Sequence, residues 1–206
     1  MAKQYGFYID TKRCSGCKAC LNACKDRQNL ADGEKFRKVF EFAGGNWSKD
    51  MFGGQVADVY TYYVAMACNQ CDDPACMAIC PGKAYTKRES DGVVVLDPKK
   101  CISCFQCIDA CPYNAPTYDY KAEHMKKCVM CTDEATADGV PSPKCVTGCP
   151  SRVLDFGEIG ELRRKYGRAN EIGMFKPITN PNLVVSLHDD SKKGSELVNQ
   201  SEIEQI

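Results

Sequence analysis

Cys101-Ile-Ser-Cys104-Phe-Gln-Cys107-Ile-Asp-Ala-Cys111-Pro112 is the stretch on which the reading of this chain turns. Three cysteines at two-residue intervals form a tight loop that sets three sulfurs around one volume. A fourth follows after three more residues, ahead of a proline that stops the short helix and turns the chain away. The pattern recurs along the chain. Cys14, Cys17, Cys20 and Cys24 keep the spacing but continue through Lys25, and Cys68, Cys71, Cys76 and Cys80 have four residues where two are expected before ending at Pro81. Cys128, Cys131, Cys145 and Cys149 are stretched by thirteen residues between the second and third and end at Pro150. These four quartets account for all 16 cysteines.

With 206 residues and 44% apolar content, the chain suits one large or two small globular domains. Cysteine makes up 16 of 206 residues, about 8%, close to the level of secreted disulfide scaffolds, so the compartment decides what the thiols are for. The start, Met-Ala-Lys-Gln-Tyr-Gly-Phe-Tyr-Ile-Asp, shows no basic segment followed by an apolar run and no cleavage site, so no signal peptide is expected. In a reducing cytosol the cysteine pairs read as metal ligands and not disulfides. The strongest apolar runs, Tyr62 to Ala67 and Val93 to Leu96, fall far short of the roughly 20 residues a spanning helix needs. The 27 basic and 27 acidic residues are interspersed without a basic stripe, which argues against a nucleic-acid partner.

The local run C-x2-C-x2-C-x3-C-P is the ligand signature of 4Fe-4S clusters in two-cluster bacterial ferredoxins, where the fourth cysteine ligates the other cluster. The third quartet matches it in full. All-cysteine zinc sites are the rival, but tetrahedral zinc ordinarily takes two separated pairs, whereas three quartets here gather their ligands within about a dozen residues. Four clusters with four thiolates each add about minus eight charges. Gly16, Gly82 and Gly148 are candidates for tight turns whose N–H groups face the sulfurs, and Lys18, Lys25, Lys83, Lys100, Lys126, Lys127 and Lys144 lie close in sequence to ligands. Full cysteine ligation leaves no iron corner for a substrate. His124 and His188 are the only histidines and read as ordinary surface or packing residues, and no nucleotide loop or catalytic triad is present, so no catalytic residue is expected.

Between the quartets, Tyr5 to Asp10 and Val93 to Asp97 read as strands, the second after a turn at Asp91-Gly92. A cysteine-free insert over 34–67, with Gly44-Gly45 and Gly53-Gly54 between aromatic segments, predicts a hairpin or small sheet. Trp47 within it is expected at a subunit contact or in a local core. Glu158 to Tyr166 reads as a helix ended by Gly167. The remainder, through Pro177, Pro181 and the apolar run Leu183 to Leu187, reads as an extended arm on a partner with a frayed end.

Four quartets in this order, with Tyr-Gly-Phe-Tyr-Ile-Asp before Cys14, Cys-Asn-Gln-Cys-Asp-Asp-Pro-Ala-Cys at 68 to 76 and Ala-Cys-Pro-Tyr-Asn-Ala-Pro at 110 to 116, closely resemble the iron-sulfur B subunits of dimethyl sulfoxide reductase-like molybdoenzymes and their polysulfide- and nitrate-reductase relatives. The likeness covers about residues 4 to 185, and Phe36 to Trp47 looks most like the dimethyl sulfoxide reductase branch. The resemblance implies an α+β fold of two pseudo-symmetric ferredoxin-like modules, each holding two 4Fe-4S clusters. One module comprises 1–33 with 112–157 and the other 68–111, with the β insert at 34–67 and the helix and arm at 158–206. It implies a molybdenum-bis-pterin catalytic subunit and an integral membrane, quinol-oxidising anchor as partners, with this chain a non-catalytic relay peripheral to the membrane. The implied ligand sets are Cys14, Cys17, Cys20 and Cys149; Cys24, Cys128, Cys131 and Cys145; Cys68, Cys71, Cys76 and Cys111; and Cys80, Cys101, Cys104 and Cys107. The first would face the molybdenum subunit and the last the membrane. Motif logic demands reciprocity between quartets, and only the likeness pairs the first with the fourth. Nitrate-reductase relatives carry tryptophan at the second cysteine of the third quartet and hold a three-iron cluster there; Cys104 implies a four-iron one. The other functional reading is a stand-alone soluble polyferredoxin.

Overall fold

The computed structural model describes residues 3–133, 139–169, 171, 175 and 177–203. Met1 and Ala2, part of the loop between Cys131 and Cys145, and the last three residues, 204–206, of the tail expected to fray lie outside the described residues. Strand β1, Tyr5–Asp10, is buried along its whole length, as its nearly continuous apolar and aromatic sequence demands. It is followed by helix α1, Ala19–Arg27, whose last turn carries Lys25 and Arg27 against the carbonyl end of the helix dipole.

The insert forms the expected hairpin, β2, Lys38–Lys49, with β3, Gln55–Met66, in antiparallel register from Lys38 opposite Met66 to Lys49 opposite Gln55. Only one of the two glycine pairs is at the turn. Asp50 closes the loop by accepting the N–H groups of Phe52 and Gly54 on Oδ1, at 2.8 and 2.7 Å. Gly44-Gly45 instead lies within β2, where Gly45 has φ +88° and a Cβ would come 1.7 Å from the Asp58 carbonyl oxygen, so the cross-strand approach excludes a side chain. The inner half of the hairpin is core and the outer half stands in solvent. Trp47 is 65% exposed and Met51 and Phe52 are 89% exposed, so Trp47 is not part of a local core.

Short elements complete the middle of the chain: α2, Ala75–Ala78; β4, Tyr85–Lys87, paired with β5, Val94–Leu96; α3, Gln106–Ala110; β6, Thr117–Asp119, paired with β7, His124–Lys126; and α4, Lys144–Thr147. Helix α1 packs on α4 and α2 on α3. The turn before β5 is where Asp91-Gly92 predicts it, with Asp91 Oδ1 accepting from Val93 N at 3.0 Å.

Strand β8, Leu154–Glu158, then pairs antiparallel with β1, and α5, Ile159–Tyr166, runs to Gly167 as the sequence predicts. The segment read as an arm on a partner lies, in its described part, on its own chain. β9, Leu183–Ser186, is the parallel neighbour of β1, β10, Glu196–Leu197, pairs with β2, and α6, Gln200–Ile203, contacts β2. The reason is burial. Val184 meets Tyr8, Ile159 and Leu162 beneath α5, while Leu183 and Val185 join the main core. Asn199 staples the end of the chain to β2, donating to Val39 O at 2.9 Å and accepting from Glu41 N at 2.9 Å.

This packing separates two substitutions. Val184→Asp places a charge at a site with no exposure and is expected to cost more than about 4 kcal/mol, whereas Phe52→Ser at the hairpin tip stays within about 0.5 kcal/mol. Limited proteolysis of the anaerobically purified chain should show rapid cleavage throughout for the first and a native pattern for the second.

Candidate metal centres

Each quartet uses the same local device. Its third and fourth cysteines, Cys20 and Cys24, Cys76 and Cys80, Cys107 and Cys111, Cys145 and Cys149, stand four residues apart on or at the end of a short helix. One turn separates them by about 6 Å along the axis, far enough to present the two sulfurs to different sites. In the first and third quartets the residue before the helix, Lys18 or Phe105, takes a left-handed conformation with φ 59° or 62°. In the second and fourth, a proline, Pro74 or Pro143, occupies that place.

The sixteen cysteines, all free of disulfides, gather accordingly. Cys14, Cys17, Cys20 and Cys149 line one cavity with Val39, Ala65 and Val153. Cys68, Cys71, Cys76 and Cys111 line a second, and Cys80, Cys101, Cys104 and Cys107 a third. Cys24 does not line the first cavity. Burial pushes its thiol up to about 12, with Cys145, Cys131 and Cys20 adding to that shift and Arg37 opposing it. Helix α1 packs on α4 and α2 on α3, so the first quartet neighbours the fourth and the second neighbours the third. Cys17 in the first group and Cys104 in the last are the exposed members.

The donor chemistry fits a polynuclear thiolate-ligated metal. Desolvation pushes the thiols of Cys20 and Cys111 up to about 11 and those of Cys71 and Cys76 up to about 12, so thiolate here requires a bound cation. The sulfurs surround volumes, and among the described residues no group of three or more Cys, His, Asp or Glu closes on a single ion.

Donors face the sulfurs as well. Ala84 N, Met125 N and Met130 N lie 3.3, 3.4 and 3.3 Å from Cys80, Cys101 and Cys128 Sγ, and Thr179 Oγ1 donates to Cys71 Sγ at 3.1 Å. Of the three expected glycines, Gly16 has the left-handed turn, φ +68°, gives its N–H to Cys14, and packs so tightly on Tyr63 that a Cβ would sit 2.5 Å from the ring. Gly82 and Gly148 keep ordinary backbone angles and serve as close-approach points to the Lys100 and Lys144 carbonyl oxygens. His124, by Nδ1, meets Met125 O at 2.9 Å, and His188 stacks on Tyr62, so neither enters a cysteine group.

The cations differ most from the sequence reading. Lys18, Lys25 and Lys126 pair with Glu202, Asp32, and both Glu34 and Asp119. Lys127 is buried beside the second cavity, its Nζ 3.0 Å from Cys128 O. The two other buried cations among the described residues, Arg37 and Lys38, come from the cysteine-free insert. Lys38 donates to Asn114 O; burial lowers it to about 7, with Cys111 opposing that shift. No spacing rule relative to a cysteine finds them. A charged pair at the start of an otherwise apolar strand is the available signal.

Comparison with known proteins agrees with this geometry. A 4Fe-4S dicluster domain matches residues 59–159 and a 4Fe-4S binding domain matches residues 11–28. The chain is 45% identical over 197 residues to the B subunit of anaerobic dimethyl sulfoxide reductase of Escherichia coli (strain K12), covering 93% of each chain. It is 44% identical over 185 residues to the protein of the same name from Haemophilus influenzae, covering 89% of each. It is 33% identical over 181 residues to the B subunit of polysulfide reductase of Wolinella succinogenes, covering 88% of each. Among the described residues no helix is long and apolar enough to cross a membrane. With sixteen cysteines gathered into buried groups and this extent of similarity, the chain belongs to the family of iron-sulfur B subunits of dimethyl sulfoxide reductase-like molybdoenzymes, proteins of electron transport.

Proposed function

We propose that this chain relays electrons from a quinol-oxidising membrane anchor subunit to a molybdenum-bis-pterin catalytic subunit through four 4Fe-4S clusters, and that it catalyses no reaction itself. The observation that supports the proposal is that twelve of the sixteen cysteines line three cavities, four to each, with Cys17 and Cys104 the exposed members of two different ones. Bound clusters supply one-electron carriers; the protein holds them close, dry and surrounded by N–H donors. The ligand sets are the four that the resemblance implies, and the packing of α1 on α4 and of α2 on α3 supports two pseudo-symmetric modules, 1–33 with 112–157 and 68–111. Ile79 and Ile102, 47% and 64% exposed, flank the Cys80 and Cys104 group and suit the anchor side. Exposed Trp47, Met51 and Phe52 favour a docked subunit over a free polyferredoxin, because a mobile carrier gains nothing from an apolar tip. In this reading the chain is peripheral to the membrane through its partners.

Anaerobically purified complex should contain about sixteen iron and sixteen acid-labile sulfur atoms per copy of this chain, after allowance for any metal of the partners. Iron near half that number in fully active complex defeats the four-cluster reading.

Cys24→Ser should perturb the cluster held by Cys128, Cys131 and Cys145 and leave the one held by Cys14, Cys17 and Cys20 with its native electron paramagnetic resonance signal. The reverse pattern breaks the ligand exchange.

Cys104→Ala should give a three-iron cluster, visible by the same method in the oxidised state. Quinol-dependent turnover should fall about tenfold or more, since each displacement of about 59 mV in a one-electron couple is a tenfold change in equilibrium. Turnover with a small donor that reduces the catalytic subunit directly should persist. Equal loss of both activities contradicts a quinol-side position for this cluster.

A further inference from the structure

Arg37 is 1% exposed and belongs to none of the four cysteine groups. Its Nη1 donates to Ala65 O at 2.6 Å and its guanidinium lies 4.5 Å from the Phe7 ring centroid. Nε and Nη2 are buried and have no hydrogen-bond partner among the described residues. Guanidinium does not give up its proton in proteins, so this is a permanent buried charge. Burial works against that charge, while Cys145, Cys20, Cys128 and Cys24 favour it and hold the pKa above its ordinary value. Among the described residues no carboxylate pairs with it. Cys20 belongs to the first group and the other three to its neighbour, and Ala65, which accepts the hydrogen bond, lines the first cavity. A buried cation with two idle donors and no carboxylate needs anions supplied in another form.

We propose that Arg37 is a shared positioning cation for two neighbouring clusters, the one on Cys14, Cys17, Cys20 and Cys149 and the one on Cys24, Cys128, Cys131 and Cys145, offering its Nε–H and Nη2–H to their sulfurs. The inference rests on the four-cluster reading. Its consequence comes from electrostatics. Each cluster gains one negative charge on reduction, a nearby fixed cation favours that charge, and so one side chain raises both potentials together. Raising them as a pair keeps the step between the two clusters nearly level while shifting both relative to the rest of the series.

The test is a redox titration of the complete complex, followed by electron paramagnetic resonance, for the native protein, Arg37→Gln and Arg37→Lys. In Arg37→Gln, one-electron reduction of both clusters should become about tenfold or more less favourable, a fall of about 59 mV each. The remaining two clusters should change less than about threefold. Arg37→Lys, which keeps the charge, should recover most of the shift. Full iron with unmoved potentials in Arg37→Gln, movement of only one of the two clusters, or a lysine variant as displaced as the glutamine variant overturns the proposal. If Arg37→Gln loses iron, Arg37→Lys decides: native iron and potentials support the charge role, and equal iron loss assigns Arg37 to packing alone. Iron in the native complex judges the cluster reading separately, because a shortfall there sinks that reading, whereas full native iron with unmoved potentials sinks only this inference.

Discussion

Much of this structure answers to the cost of taking cysteine thiolates out of water, eight of the sixteen being buried. Burial alone keeps many of these thiols protonated, with Cys24, Cys71 and Cys76 pushed to about 12. Only bound metal makes their thiolate form affordable, so metal binding and folding are one event for most of the chain. This accounts for the sparse regular structure around the quartets: helices of four or five residues at α2, α3 and α4 and strands of three at β4 to β7. Elements so short have little stability of their own and depend on what they surround.

The second constraint is geometric. A single helical turn between the third and fourth cysteine of each quartet carries the chain from one site to the next, so ligation and proximity come from the same residues. Neighbouring quartets are thereby tied by covalent structure within the packed helix pairs. Gln70 links the second quartet to the fourth, donating to Cys128 O at 2.9 Å and accepting from Val94 N at 2.9 Å.

The apolar core takes in buried cysteines as well as conventional apolar side chains. The sheet of β8, β1 and β9 and the inner half of the β2–β3 hairpin supply the apolar framework, with Phe7, Val64, Val184 and Leu183 at or below 1% exposure. The hairpin does more than brace the metal sites. Arg37 and Lys38 enter from it as buried cations, while its far end presents Trp47, Met51 and Phe52 to solvent. One insert thus serves both the interior electrostatics and the outer surface.

The cysteine spacing alone defined the number of quartets and pointed to clusters ligated by thiolate and to exchange of the fourth cysteine, because three sulfurs at two-residue intervals surround a small volume. Local signals were equally sufficient for β1, for the turn at Asp91-Gly92, and for α5 with its stop at Gly167, all of which depend on residues within one or two turns of each other. Other features were decided by tertiary structure. The pairing of the first quartet with the fourth depends on contacts more than 100 residues apart, and no short-range pattern encodes them. Leu183 to Ser186 is a short apolar run that serves equally as an arm or as a strand, and the exposed edge of β1 made it the latter. Gly44-Gly45 has turn-like composition but sits mid-strand, because the Asp58 carbonyl approaches too closely for any Cβ. Arg37 was invisible among twenty-seven basic residues until the fold removed it from water, since the charge that matters is the one left unscreened.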